Sequence, residues 1–266
     1  MTELATRALT GAAYVALTVG AALAGPVTTT LLFLPVCALA LGELHRLAFR
    51  EAKPALAVPL LAGLLVYLAI AGLGMGRMPP HWAMAALVAA FTMGVVEILA
   101  TGRGEPLLRT GLLMMGLVYV ALPFGLITSL MADGPWLFLG FMLLLWTNDT
   151  GAYLVGRAIG RTKLLPRASP KKTVEGLLGG IALCMGVAWV LAQYWRQLTA
   201  SQWIGCAVVV AIAATLGDLL ESAFKRGAGV KDSGTILPGH GGILDRFDGF
   251  LLALPAMVVC VACMRA

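Results

Sequence analysis

Charged residues are scarce in this sequence. Only 12% of its 266 residues are Asp, Glu, Lys or Arg, while 60% are hydrophobic. Soluble domains carry about 25% charged residues. With a mean hydropathy of +0.91, this composition argues against a soluble domain and indicates an integral membrane protein.

Cysteine is also sparse, and its placement excludes two further classes. All five cysteines fall within apolar runs, so neither a disulfide framework nor a CxxC metal site is suggested. They are best interpreted as small packing residues: Cys37, Cys184, Cys206, Cys260 and Cys263.

Apolar runs of membrane-spanning length recur along the whole chain. A helical span needs about 20 mostly apolar residues, and these runs lack the alternation of lipid-facing strands. We therefore predict an all-α, polytopic helical bundle with about nine transmembrane helices. The predicted spans are 9–24, 27–44, 55–74, 81–100, 108–131, 136–156, 173–194, 203–222 and 248–264.

The distribution of cations predicts the orientation of this bundle. Of the 19 Lys and Arg residues, only Arg77, Arg196 and Arg265 fall on one face of the nine-span arrangement. The positive-inside rule therefore places the other face, with the N-terminus, in the cytoplasm. Ala22–Leu23–Ala24 resembles a signal-peptide cleavage site, but we expect the first span to be retained because eight further spans follow.

The two halves of the chain differ in polarity. Residues 1–135 are apolar with short connections, whereas polar residues enter the spans of 136–266. We expect one transmembrane domain, 1–266, with an N-terminal scaffold and a catalytic C-terminal half. The polar stretches are 146–160, 165–180, 217–226 and 231–249.

The eighth span carries a polar face. Four residues lie at the spacing i, i+3, i+4 and i+7 of one helix face: Asp218, Glu221, Ser222 and Lys225. A carboxylate within a span usually faces the bundle interior and has a partner. One alternative is that Asp218 pairs with Lys225 or Arg226 only to hold helices together.

The entry to the seventh span indicates an anion site. Ser169 followed by Pro170 is typical of a helix N-cap with proline at the first helical position. Lys171 and Lys172 would then occupy the first turn, where a helix already carries positive charge. Such a site suits a phosphate, although both lysines could instead reach anionic headgroups.

Residues 231–249 combine glycines, cations and carboxylates. Gly234, Gly239, Gly241 and Gly242 favour a loop whose amides approach a ligand closely. Lys231 and Arg246 could hold phosphate oxygens, and His240 alone is more often structural. Asp245 and Asp248 share a face if the turn is helical, and with Asp218 they offer the oxygen ligands that Mg²⁺ takes alongside phosphates. The set indicates a magnesium–nucleotide or pyrophosphate site.

These residues also form a pattern. The run is Ser222-x-x-Lys225-Arg226-x4-Lys231-Asp232-x-Gly234-x3-Pro238-x-His240-Gly241-Gly242-x-x-Asp245-Arg246-x-Asp248. It resembles the signature of the phosphatidate cytidylyltransferases, also called CDP-diacylglycerol synthases. The block 149–176 and the pair Gly217–Asp218 resemble further elements of that family, whereas the first five spans match it only as a hydrophobic half.

The resemblance implies the transfer of CMP from CTP to phosphatidate, giving CDP-diacylglycerol and pyrophosphate. It also implies dependence on Mg²⁺ and a location in the cytoplasmic membrane, the inner membrane of a bacterium. Whether a second cation binds and whether the chain forms a homodimer are left open.

The site residues expected from the pattern fall into three groups. The expected metal ligands are Asp218, Asp245 and Asp248. The expected substrate-binding residues are Lys171, Lys172, Ser222, Gly241, Gly242 and Asp149. The expected catalytic residues are Lys225, Arg226, Lys231, Asp232, His240 and Arg246. Asp149 and Asp232 are secondary candidates for the metal.

Three other functions compete with this interpretation. A CDP-alcohol phosphotransferase would show a D-G-x-x-A-R…G-x-x-x-D-x-x-x-D pattern, which this sequence lacks. A CTP-dependent polyprenol kinase would also use CTP but would need a base for its hydroxyl acceptor. An ion-coupled transporter also carries intramembrane aspartates, but its polar residues would not cluster at one interface.

Overall fold

A computed structural model describes residues 3–49, 56–102, 105–234 and 241–265. These residues form two compact units. The first contains the described residues of 1–135 together with those of 232–246, and the second contains 136–231 together with the described residues of 247–266.

Helices dominate both units, and the chain is a multi-pass membrane protein. In the described part of the chain, seven helical segments are long and apolar enough to cross a membrane, and the first helix has a shorter apolar part, Leu9–Ala24. The prediction of an all-α polytopic fold is therefore confirmed. The predicted orientation of the N-terminus stays a prediction.

The first unit consists of consecutive helices. They are α1 (Glu3–Ala24), α2 (Pro26–Ala48), α3 (Ala57–Gly74), α4 (Pro80–Thr101), α5 (Pro106–Met115) and α6 (Leu122–Leu126). A π-helical segment, Gly116–Ala121, joins α5 to α6, and a 3₁₀ segment, Ile127–Met131, follows. The run Pro106–Met131 therefore corresponds to one predicted span.

Aromatic and glycine contacts hold this unit together. The rings of Phe33 and Phe124 lie 5.9 Å apart. The Tyr67 hydroxyl donates a hydrogen bond of 2.6 Å to the Thr30 carbonyl, so its buried polar end is satisfied. A side-chain carbon at Gly125 would lie 2.9 Å from the Tyr67 carbonyl oxygen. Small residues thus let the helices approach closely, as is common in membranes.

The second unit contains three long helices and a small sheet, and it takes in most of a fourth. The elements are α7 (Trp136–Ile159), β1 (Lys163–Leu165), β2 (Ser169–Thr173), α8 (Val174–Tyr194), α9 (Ala200–Gly227) and α10 (Leu244–Arg265). Strands β1 and β2 form an antiparallel hairpin in which Lys163 lies opposite Thr173.

This hairpin corrects the prediction for the entry to α8. The N-cap is Thr173 rather than Ser169, and its hydroxyl accepts a hydrogen bond of 3.1 Å from the Gly176 amide. Glu175 occupies the first turn and accepts hydrogen bonds from the amides of Arg161 and Thr162. An acidic residue suits the positive end of a helix, whereas Lys171 and Lys172 lie in the strand before it.

Glycines bring α7 and α8 into close contact. A side-chain carbon at Gly151 would lie 3.1 Å from the Gly179 carbonyl oxygen, and one at Gly176 would lie 2.8 Å from the Ala152 carbonyl oxygen. We call this contact the glycine seam. The small residues Gly176, Gly179 and Gly180 therefore pack helices within one chain.

Candidate active site

The second unit contains a partly open cavity of about 400 Å³, in which several polar side chains interrupt a mainly apolar lining. Its walls come from α7, the β-hairpin, the first turn of α8 and the middle of α9. The lining residues are Asn148, Asp149, Ala152, Tyr153, Gly156, Arg157, Leu164, Lys171, Lys172, Thr173, Gly176, Leu177, Thr215 and Asp218. Three cations and two carboxylates thus face one space next to an apolar helix surface.

One stripe of α7 forms the first wall. Asp149, Tyr153 and Arg157 recur at the four-residue spacing that places side chains on one helix face, and Asn148, Ala152 and Gly156 form the row beside them. The Arg157 guanidinium donates a hydrogen bond of 3.0 Å to the Tyr153 hydroxyl. That contact orients one cation at the end of the helix.

The β-hairpin brings two lysines to the opposite wall. Lys171 and Lys172 both line the cavity. The Lys172 ammonium forms an ion pair with the Asp218 carboxylate, and the two side chains are 27% and 33% exposed. The cavity therefore joins an ammonium from the hairpin to a carboxylate from α9, two groups separated by more than 40 residues in sequence.

The polar face of α9 is confirmed. The Ser222 hydroxyl donates a hydrogen bond of 3.3 Å to Asp218, and Lys225 forms an ion pair of 2.5 Å with the buried Glu221. The alternative that Asp218 pairs with Lys225 or Arg226 is wrong. Instead, Arg226 donates to the Val230 carbonyl at 3.1 Å.

Asp248 joins this set from α10. A side-chain carbon at Gly217 would collide with the Asp248 carbonyl oxygen, so α9 and α10 touch next to Asp218. The carboxylates of Asp149, Asp218 and Asp248 lie within range of mutual electrostatic interaction. Within the described ranges, however, no three Asp, Glu, His or Cys side chains are arranged as a complete metal cage.

Asp245 has a different environment, in the first unit. Its Oδ2 accepts hydrogen bonds from the Gly242 amide at 2.7 Å and from the Ser233 amide at 2.9 Å. Gly241 has a φ of +80°, a conformation that glycine adopts without strain. Asp245 therefore holds Ser233 and Gly242 together, and its role as a metal ligand stays a prediction.

Four further residues were predicted to be catalytic. Lys231, Asp232 and Arg246 are exposed. His240 lies outside the described residues. Their assignment as catalytic residues stays a prediction.

Sequence reasoning missed three residues. Arg157 and Asn148 line the cavity. Arg157 lies two helical repeats of four residues after Asp149, a spacing that could have indicated it, whereas Asn148 is only the sequence neighbour of Asp149. The Asn148 Oδ1 atom is buried and has no hydrogen-bond partner among the described residues. Glu43 is a buried carboxylate of α2, only 1% exposed, which the prediction of an apolar scaffold half overlooked.

Comparison with known proteins assigns the family. A family model described as "Cytidylyltransferase family" matches residues 5–264. A protein of Staphylococcus aureus (strain COL) named phosphatidate cytidylyltransferase is 43% identical over 146 residues, 54% of this chain and 56% of the relative. Proteins of the same name from Staphylococcus haemolyticus (strain JCSC1435) and Staphylococcus epidermidis (strain ATCC 12228 / FDA PCI 1200) are 43% and 44% identical over equal shares. The chain spans about half the length of the curated relatives it matches.

Proposed function

The chain belongs to the cytidylyltransferase family, and from this premise we propose that it transfers CMP from CTP to phosphatidate. The products are CDP-diacylglycerol and pyrophosphate. The name of its relatives supports this substrate pair, and so does the chemistry of the cavity.

One observation carries the proposal: cations and carboxylates face each other within a cavity that α7, α8, α9 and the β-hairpin line. Arg157, Lys171 and Lys172 line it together with Asp149 and Asp218. Phosphate groups need cations, and a metal that bridges phosphates needs carboxylates. A site that handles a nucleoside triphosphate requires both.

The reaction itself needs little proton transfer. A phosphate monoester has its second pKa near about 6, so the phosphatidate oxygen is already ionised at neutral pH. That oxygen forms a bond to the α-phosphorus of CTP, and the electron pair of the broken P–O bond leaves with pyrophosphate. The main obstacle is repulsion between two anions, which Arg157, Lys171 and Lys172 would reduce by holding the phosphates in line.

The donor chemistry of the site fits Mg²⁺. This ion usually takes one or two protein carboxylates and completes its coordination with water and substrate phosphates. The mutual repulsion of the Asp149, Asp218 and Asp248 carboxylates would also decrease beside a cation. Asp218 and Asp248 would hold the ion, and Asp149 is the secondary candidate. When bound, Mg²⁺ would supply positive charge to the phosphate oxygens.

Asn148 would contribute to nucleotide recognition. Asn148 lines the cavity, and its buried Oδ1 has no hydrogen-bond partner among the described residues, so this side chain can offer an acceptor to an N–H donor. The exocyclic amino group of cytosine is such a donor. If the positive-inside rule holds for this chain, the cavity would lie at the cytoplasmic face, where CTP is available.

The test is a transfer assay in detergent with phosphatidate, Mg²⁺ and CTP labelled at the α-phosphorus. We expect label in a lipid-soluble product and an equal amount of released pyrophosphate. Asp218→Asn should lose this activity while remaining folded, whereas Asp133→Asn, which changes an acidic residue outside the cavity lining, should retain it.

Other outcomes point elsewhere. Failure of the wild type to label lipid would refute the proposal. Transfer of the γ-phosphate of CTP to a polyprenol would then identify a polyprenol kinase. Substrate flux into proteoliposomes without any product would favour a transporter.

A further inference from the structure

The strongest feature outside the cavity is a buried carboxylate on α2. Glu43 is 1% exposed. Its Oε1 accepts a hydrogen bond of 2.9 Å from the Ile243 amide, and its Oε2 accepts one of 2.9 Å from the Leu244 amide. The Ser233 hydroxyl donates a third, of 3.1 Å, to Oε2. Glu43 thus contacts residues 190 and more positions later in the chain.

These contacts meet at the first turn of α10. Leu244 is its first residue, so its amide has no partner within the helix. A carboxylate is stabilised by such free amides and by the positive end of the helix. Burial of a carboxylate would otherwise be costly, and the three hydrogen bonds explain why Glu43 can lie in the interior.

Asp245 binds the same residue, Ser233. The Ser233 hydroxyl oxygen lies 3.1 Å from both Asp245 Oδ2 and Glu43 Oε2, so the two carboxylates share its single hydrogen. One hydroxyl therefore lies between two carboxylates, and the amides of Gly242, Ile243 and Leu244 surround the pair. We call this arrangement the carboxylate clamp.

The glycines beside the clamp leave room for Glu43. A side-chain carbon at Gly234 would lie 2.6 Å from Glu43 Oε1, and one at Gly242 would lie 2.5 Å from Glu43 Oε2. Both separations are shorter than any ordinary contact of such a carbon. Two glycines that the pattern assigned to ligand approach are thus needed for the approach of Glu43.

We propose that Glu43 is a positioning residue, which fixes the beginning of α10 and the flanks of the loop before it. This inference rests on the proposed function, in which residues at the beginning of α10 take part. The first turn of α10 carries Asp245 and Arg246, and Asp248 lies three residues after Asp245. Glu43 does not touch substrate. It determines where the signature residues stand, so its loss should lower kcat more than it raises KM for CTP.

The test compares Glu43→Gln with Glu97→Gln in the full-length protein. Glu97 is a suitable control because it is another carboxylate of the first unit, 12% exposed, with its two oxygens 2.6 and 2.7 Å from Arg109. We expect Glu43→Gln to lower kcat about 100-fold, the size of effect that a misplacement of about 1 Å can have. Glu97→Gln should retain kcat per folded molecule.

Hydrogen exchange provides a readout that does not depend on activity. The amides of Ile243 and Leu244 should exchange at least 10-fold faster in Glu43→Gln and at the wild-type rate in Glu97→Gln. Ser233→Ala is a milder variant that keeps both carboxylates, and it should give smaller changes of both kinds.

The outcomes separate this inference from the proposed function. Unchanged exchange at Ile243 and Leu244 in folded Glu43→Gln would overturn the clamp. Faster exchange with kcat equal to that of the Glu97 variant would overturn the positioning role. If the wild type makes no CDP-lipid, the proposed function fails, and the exchange experiment still tests the clamp.

Discussion

Replacement of Lys172 by methionine tests the cavity most directly. The substitution keeps the length and apolar stem of the side chain but removes the ammonium that pairs with Asp218. Lys163→Met is the matched control, because Lys163 lies on the neighbouring strand of the same hairpin and does not line the cavity.

The exposure of the pair sets the expected effect on stability. Side chains that are 27% and 33% exposed are screened by solvent, so the pair should contribute about 1 kcal/mol. A change of that size lowers Tm by about 2–4 °C in a protein of this size class. The double variant, in which Asp218→Asn is added, should recover most of the lost stability. Both charges are then absent, so no carboxylate is left without its ammonium partner.

The effect on activity should be larger and should not recover. A hydrogen bond to a charged group contributes about 1.5–3 kcal/mol. In an activation free energy, about 1.4 kcal/mol corresponds to a tenfold change in rate. We therefore expect kcat/KM of Lys172→Met to fall about 10- to 100-fold in the α-label transfer assay. Wild-type kcat/KM in this variant, or restored activity in the double variant, would refute a phosphate-binding role and leave only a structural pair.

Three further substitutions test other parts of the cavity. Gly176→Ala should lower Tm and activity by forcing a side-chain carbon against a carbonyl oxygen, at a cost of about 1–3 kcal/mol, whereas Gly186→Ala in the same helix meets nothing within 4 Å and should do neither. Asn148→Leu should raise KM for CTP about 10-fold through loss of one acceptor, and an unchanged KM would remove Asn148 from nucleotide recognition. Thr173→Ala should destabilise the start of α8 by about 1 kcal/mol, measured as a lower Tm, and an unchanged Tm would contradict its role as N-cap.

The membrane helices were predictable because hydropathy depends only on local composition. A span must satisfy its backbone hydrogen bonds internally and face lipid with apolar side chains, so each run reveals itself without knowledge of its neighbours. The predicted span 173–194 matches α8 (Val174–Tyr194), but its N-cap was assigned wrongly, because Ser169 and Thr173, both residues that can cap a helix, lie four residues apart. The hydrogen bonds that Glu175 accepts from the amides of Arg161 and Thr162 depend on the tertiary fold and decide between them.

The site was predictable in its residue types and less so in its pairings. The spacing on α9 correctly placed Asp218 and Ser222 together, but the partner of Asp218 is Lys172 from the hairpin, which no local pattern indicates. Glu43 was not predicted at all. A single carboxylate in an apolar run carries no local signal, and its importance lies in three hydrogen bonds from residues far along the chain.

The glycine seam between α7 and α8 has a consequence for how the protein can vary. The separation of these two helices depends on main-chain atoms, so it is independent of the bulky side chains on their outer surfaces. Leu178 and Trp189 of α8 are 59% and 57% exposed. Such residues can be exchanged to suit membranes of different thickness or fluidity without altering the cavity. The surface that faces the lipid and the walls that bind the substrate can therefore evolve separately, although they belong to the same two helices.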